Sequence, residues 1–102
     1  MFETIGSVYI KEYDTTMDII KTQYQDGNTA VILNFPDGER FLTLSANIEQ
    51  SRNLVPWQFF AKEYSENAKY IGRIWNTKLF KLTDIAVKSH FIIFNAWEII
   101  KI

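Results

Sequence analysis

Between Gly27 and Ile48 the chain reads GNTAVILNFPDGERFLTLSANI, two apolar-rich runs on either side of Pro36-Asp37-Gly38-Glu39. Proline fixes φ and glycine reaches positive φ without a steric cost, so this tetrapeptide reverses the chain and the flanking runs pair as a hairpin. In the second run a period of two puts Leu42, Leu44, Ala46 and Ile48 on one face, expected to meet the core. Phe41, Thr43, Ser45 and Asn47 fall on the other, wetter face.

Upstream, residues 5–13 alternate, with Val8 and Ile10 on one side and Tyr9, Lys11 and Tyr13 on the other, which suits a half-buried strand. Asp14-Thr15-Thr16 is a polar break. The stretch MDIIKTQY, 17–24, fits either a short capped helix or a strand, and its β-branched residues favour the strand. Gln25-Asp26-Gly27-Asn28 is a turn, which completes an antiparallel meander of four strands.

Downstream, Glu49–Asn53 is a polar loop, and Leu54 opens a segment dense in aromatics: Trp57, Phe59, Phe60 and Tyr64. Pro56 argues against a helix there, so the segment is expected to cross an end of the sheet and plug the core. Ser65 reads as a helix N-cap with Glu66 at the positive end of the dipole. Ala68, Ile71, Ile74 or Trp75, and Leu79 follow with helical spacing, the helix ending near Asn76-Thr77. Gly72 weakens such a helix by about 1 kcal/mol relative to alanine, a cost that a close approach to the sheet would explain. Residues 79–89 fit a short strand or a loop equally. HFIIFNAWEII, 90–100, closes the chain as a strand apolar enough to lie inside the sheet.

These elements predict a single α+β domain over 1–102, an antiparallel twisted sheet of about five strands with one main helix packed on one face. Val31, Leu33, Phe35, Leu42, Leu44, Ile71, Trp75, Ile93 and Trp97 are the predicted core.

Composition narrows the classes of function. Apolar residues make up 47% and aromatics 16% of the 102 residues, which is enough for a core and argues against disorder. A formal charge of −1 fits neither a binder of duplex phosphates nor an acidic mimic of nucleic acid. The absence of cysteine excludes disulfides, thiol nucleophiles and thiolate metal sites. The start, Met1-Phe2-Glu3-Thr4, lacks the basic and apolar pattern of a signal peptide. No apolar run approaches the ~20 residues that span a bilayer, so the expectation is a soluble, cytoplasmic protein without membrane contact.

Candidate chemistry is sparse. His90 is the single histidine, which leaves no histidine-based metal set and reads as structural or surface. No G-x-S-x-G elbow supports a serine triad. Asp37-Gly38-Glu39 matches only a fragment of a calcium loop and reads as a turn. The expectation is no catalytic residue, no metal and no cofactor.

The strongest functional segment is the aromatic one, with Arg52, Trp57, Phe60, Lys62 and Tyr64 as candidate partner-binding residues. The same residue types fill cores, anchor protein interfaces and stack single-stranded bases. The leading expectation is a non-enzymatic protein-binding factor. Single-strand nucleic-acid binding through sheet aromatics and nearby Lys and Arg is the alternative, and self-association through an edge strand is the further partner expected.

Several short motifs carry a family resemblance: Gly27-Asn28-Thr29-Ala30, Asp37-Gly38-Glu39, the strand end Leu42 to Ile48, and Lys62-Glu63-Tyr64-Ser65-Glu66-Asn67. Across residues 25–75 the chain resembles a family of small uncharacterised proteins, a domain of unknown function carried on phages and conjugative elements of Firmicutes. The resemblance implies an α+β fold and a mobile-element setting, and in that setting the expected protein-binding factor is one that modulates a host or defence protein. The family brings no known activity to carry over to this chain.

Overall fold

The computed structural model describes residues 2–100. Four strands come first: β1 (Glu3–Ile10), β2 (Thr15–Gln23), β3 (Thr29–Asn34) and β4 (Arg40–Thr43). They pair antiparallel in sequence order as the expected meander. Gly27 and Gly38 hold positive φ (90° and 93°) in its second and third turns, as their residue types suggest. The ambiguous stretch after Thr16 is a strand, β2.

The expected single sheet is in fact two sheets of four strands. The second is built from β5 (Ser45–Ala46), β6 (Gln58–Ala61), β7 (Phe80–Ser89) and β8 (Ile92–Ile99), in the order β5-β6-β8-β7. The run 41–48, read as one strand, divides at Leu44. The Leu44 N–H donates to the Val31 carbonyl at 2.9 Å, in the first sheet. Its carbonyl accepts from the Lys62 N–H at 2.6 Å, beside the second. Ser45 completes the crossing: its hydroxyl accepts from the Val31 N–H at 3.0 Å and shares a 2.7 Å bond with the Tyr24 hydroxyl. The backbone at Leu44 and Ser45 thus bonds to both sheets, which carries the chain from one ladder to the other.

The inner faces of both sheets contribute to one core. Val8, Ile10, Met17, Ile19, Val31, Leu33, Leu42 and Leu44 come from the first sheet, and Phe59, Ala61, Phe80, Trp97 and Ile99 from the second. Trp97 anchors it with ring contacts to Phe59, Phe80 and Trp75. The Trp97 Nε1–H donates to the Glu63 carboxylate at 3.2 Å, and the Asn95 amide donates to the same oxygen. Side chains on the opposite face of β6 and β8, Phe60, Phe94 and Ala96, form a smaller cluster under Ile48 and Leu54. Of the predicted core, Phe35, Ile71 and Trp75 are half-buried against the main cluster. Ile93 is not core at all; it is 66% exposed. It shares the inner face of β8 with Trp97, but the first sheet does not extend far enough to cover it.

The segment 65–76 departs from the expected helix. Ser65–Tyr70 is a 3-10 helix, and only Ile71–Trp75 is α-helical, α1. Ser65 caps nothing: it adopts φ 59°, and Tyr64 holds the cap position without a side-chain bond. Asn67 supplies the reason. Fully buried, its amide donates to the Thr43 carbonyl at 2.8 Å and the Lys62 carbonyl at 3.0 Å, which draws this turn tightly onto β4. Tyr70 and Ile74 then enter the main core. Gly72 faces open space, so close packing does not account for it. The close approach lies at Gly6 of β1, where a Cβ would run into the end of the Leu79 side chain.

The two remaining stretches resolve clearly. Residues 79–89 hold the ten-residue β7, and the polar loop at Glu49–Asn53 is a 3-10 turn. The final strand, β8, lies inside its sheet between β6 and β7, so it offers no free edge for self-association; the edges of that sheet are the two-residue β5 and the ten-residue β7.

Candidate functional site

The aromatic segment does not plug an end of a sheet. It becomes β6, and alternation along that strand separates its residues. Phe59 points into the main core and Phe60 into the smaller cluster. Phe60, expected to touch a partner, is 1% exposed and therefore contacts only this chain.

The other four candidates lie in three places. Trp57 precedes β6 in a turn fixed by backbone and side-chain bonds. The Gln58 N–H donates to the Val55 carbonyl at 2.9 Å, the Thr29 hydroxyl donates to the Pro56 carbonyl at 2.6 Å, and the Ile99 N–H donates to the Trp57 carbonyl at 2.8 Å. Lys62 and Tyr64 follow the far end of β6. Tyr64 lies against the Phe94 ring, centroids 6.0 Å apart, while the Lys62 ammonium stands 5.7 Å from the Tyr64 centroid and 3.0 Å from the Glu66 carboxylate. Arg52 projects from the 3-10 turn and pairs with Glu49 at 3.7 Å. The strand between Trp57 and Tyr64 keeps the five residues from forming one patch.

Trp57 is the member that meets a cavity. It is 38% exposed and lines a cleft of about 510 Å³. Ile5, Leu79, Ile99 and Ile100 give this cleft apolar walls, and Pro56 and Thr4 complete it. Glu3 and Lys21, directly opposite one another on β1 and β2, set one charge of each sign at its margin. The cleft forms where the ends of the two sheets meet: β1 and β2 from the first, the entry to β6 and the open end of the β7–β8 hairpin from the second. Its size and mixed lining are those of a site for one or two apolar side chains or a small ligand.

A second cleft of about 520 Å³ lies between Tyr13, Phe41, Tyr70 and the 3-10 helix that carries Glu66 and Lys69. Its aromatic walls are engaged with each other. Tyr13 makes edge contacts with Phe35 and Phe41, and Phe41 with Tyr70. Lys69 and Arg73 already lie over the Tyr70 ring, at 5.1 Å and 5.7 Å. The charged groups nearby are paired as well. The Arg73 guanidinium grips Glu12 through both carboxylate oxygens, which holds that carboxyl down at about 2. Glu66 is held equally low, at about 2, by its own backbone N–H, then by Lys62 and Ser65.

For base stacking, the aromatics in question are Tyr9 and Phe41. Tyr9 is 53% exposed, but its hydroxyl donates to the Asp14 carboxylate at 2.6 Å, and β1 faces Thr16 and Asp18 across the ladder. Phe41 is half-buried among rings. His90 stands exposed in the β7–β8 turn with φ 51°. Among the described residues, no three His, Asp or Glu side chains are grouped as metal ligands.

Sequence reasoning missed the most exposed aromatic. Phe91 is 94% exposed at the tip of the β7–β8 hairpin, beside Ile93 and Lys88. Two strands separated by two residues, His90-Phe91, were the signal for a tight turn there. No protein-family model, curated protein or solved structure matches this chain.

Proposed function

We propose that this protein is a non-enzymatic protein-binding module, acting in the cytoplasm, whose contact point is the cleft around Trp57. A half-exposed tryptophan set over an apolar cleft of about 510 Å³ carries this reading. Tryptophan anchors supply much of the binding energy of protein interfaces because they bury a large, rigid area at low entropic cost. Glu3 and Lys21 at the margin would orient a partner chain without dominating its affinity. The resemblance to a mobile-element family makes a host or defence protein the proposed partner class.

The experiment is affinity capture from a Firmicute lysate, with and without nuclease, using wild type and Trp57→Ala side by side. The expected result is one protein retained by wild type and reduced at least tenfold with the variant, while both chains keep the same melting temperature within a few degrees. Equal capture by both chains overturns the cleft as the contact. Material that disappears on nuclease treatment and on raising salt would instead favour nucleic-acid binding.

A further inference from the structure

We propose that the cleft's occupant is a second copy of this chain, the two copies lying antiparallel with Phe91 of each seated in the Trp57 cleft of the other. The inference rests on the reading of that cleft as a protein contact and gives it a self-contact, which a host or defence protein binding the same cleft would displace.

The first observation is the β7–β8 turn. His90 and Phe91 have φ of 51° and 68°, both left-handed and neither glycine. Two-residue hairpin turns of this kind favour Asn-Gly or Asp-Gly, and a bulky residue at positive φ is strained. Phe91 buries almost no surface on folding in return, since 94% of it is exposed. Strain at an exposed aromatic tip points to a contact outside the chain. Ile93, 66% exposed, and Lys88 stand opposite one another next to that tip, and the Lys88 ammonium lies 5.9 Å from the Phe91 centroid. The tip therefore presents an aromatic ring, an aliphatic side chain and one cation.

The cleft is complementary on each count. Its walls are Ile5, Trp57, Leu79, Ile99 and Ile100, its volume of about 510 Å³ holds a phenylalanine side chain with room for part of Ile93, and Glu3, which faces Lys21 across the ladder at that margin, supplies the carboxylate for Lys88. Placement gives the third reason. Tip and cleft lie at opposite ends of β8, an eight-residue strand about 25 Å long. Because β7 is the outer strand of its sheet, two copies set side by side and antiparallel along β7 bring each tip to the other's cleft. That arrangement is two-fold and closes as a dimer. It also covers Leu82 and Ile85, which are 57% and 36% exposed on β7 between the two ends. The register of β7 shifts between Leu82 and Ala86, an irregularity that interrupts hydrogen bonding along an edge. Side chains at the two ends, rather than a continuous ladder, therefore join the copies.

The test is sedimentation equilibrium of the full chain from about 1 µM to about 1 mM, a range that brackets ordinary dimer affinities. Wild type is expected to shift from monomer to dimer. Phe91→Asn, which suits the turn, weakens association at least tenfold without lowering the melting temperature, and so does Trp57→Ala. Mixed together these two variants associate more strongly than either alone, because one has the intact cleft and the other the intact tip. Lys88→Glu weakens the dimer, and the double variant Glu3→Lys with Lys88→Glu restores it. A wild-type chain that stays monomeric throughout, or Phe91→Asn that dimerises like wild type, overturns the proposal. A monomer that still captures a lysate protein through Trp57 overturns only self-association; a dimer insensitive to Trp57→Ala overturns the tip-in-cleft contact, and equal lysate capture by wild type and Trp57→Ala overturns the cleft as a protein contact.

Discussion

Asn67 shows how much one side chain decides. Its amide reaches two carbonyls from different elements, Thr43 and Lys62, while its own Oδ1 is buried without a partner. Asn67→Ala would take a donor from both part-buried carbonyls, and losses of that kind cost about 1–3 kcal/mol. Urea denaturation should show that drop with an unchanged m-value. Nothing in the sequence marks Asn67 as interior, since asparagine is usually a surface residue. Gly6 was equally hard to see: the need for glycine comes from Leu79, more than seventy positions away in the chain. Val8, Ile10, Leu42 and Leu44 were legible, because alternation in a strand is a local property and all four are buried. Ile93 follows the same alternation and is exposed, because the pattern gives a face and not the extent of the sheet that covers it.

At the scale of elements, α1 is pinned to the β1–β2 turn by Arg73 and Glu12. Glu12 is depressed from its ordinary 4.5 to about 2 by that guanidinium, so its contribution to stability is fully present above pH 4.5. The contribution fades as pH falls through the folded value near 2. Thermal melts across this window should show wild type losing stability more steeply than Glu12→Gln, whose side chain does not titrate, with the two curves converging at the acid end. The five-residue α1 was overread from sequence as a helix of about three turns. Helical spacing at Ala68, Ile71 and Ile74 is real, but the first half is a 3-10 helix, held to β4 by the Asn67 side-chain amide donating to the Thr43 carbonyl. Turns were read more reliably than helices here. Pro36-Asp37-Gly38 carries its own conformational instruction, and Gly38 sits at φ 93° as glycine allows.

For the molecule as a whole, the two sheets share one core, so neither has an independent hydrophobic interior of its own size. Trp97 touches Phe59, Phe80 and Trp75 and reaches Glu63, which ties the second sheet to α1 and to the segment after β6. Unfolding should accordingly be a single transition, with tryptophan fluorescence and far-ultraviolet dichroism giving coincident curves in guanidinium. Two separated midpoints would mean that the sheets unfold independently. The candidate site also exists only at this scale. Trp57 stood out in the sequence as a candidate contact residue; the cleft beside it did not, since Glu3, Lys21, Leu79 and Ile100 join it only when the ends of the two sheets meet. Phe60 was separated from it by one step of strand alternation, which turned that ring inward.

The sequence by itself determined the four-strand meander, its glycine turns, the apolar last strand and the α+β class. Each depends on periodicity or on the dihedral preferences of neighbouring residues, and those act within a few positions of the chain. Tertiary structure alone decided the division into two sheets at Leu44, the shortening of the helix, the burial of Phe60, the exposure of Ile93 and the assembly of the Trp57 cleft. These outcomes depend on which distant backbone group satisfies a given N–H or carbonyl, and on where one packed surface ends over another. Local pattern carries no record of either.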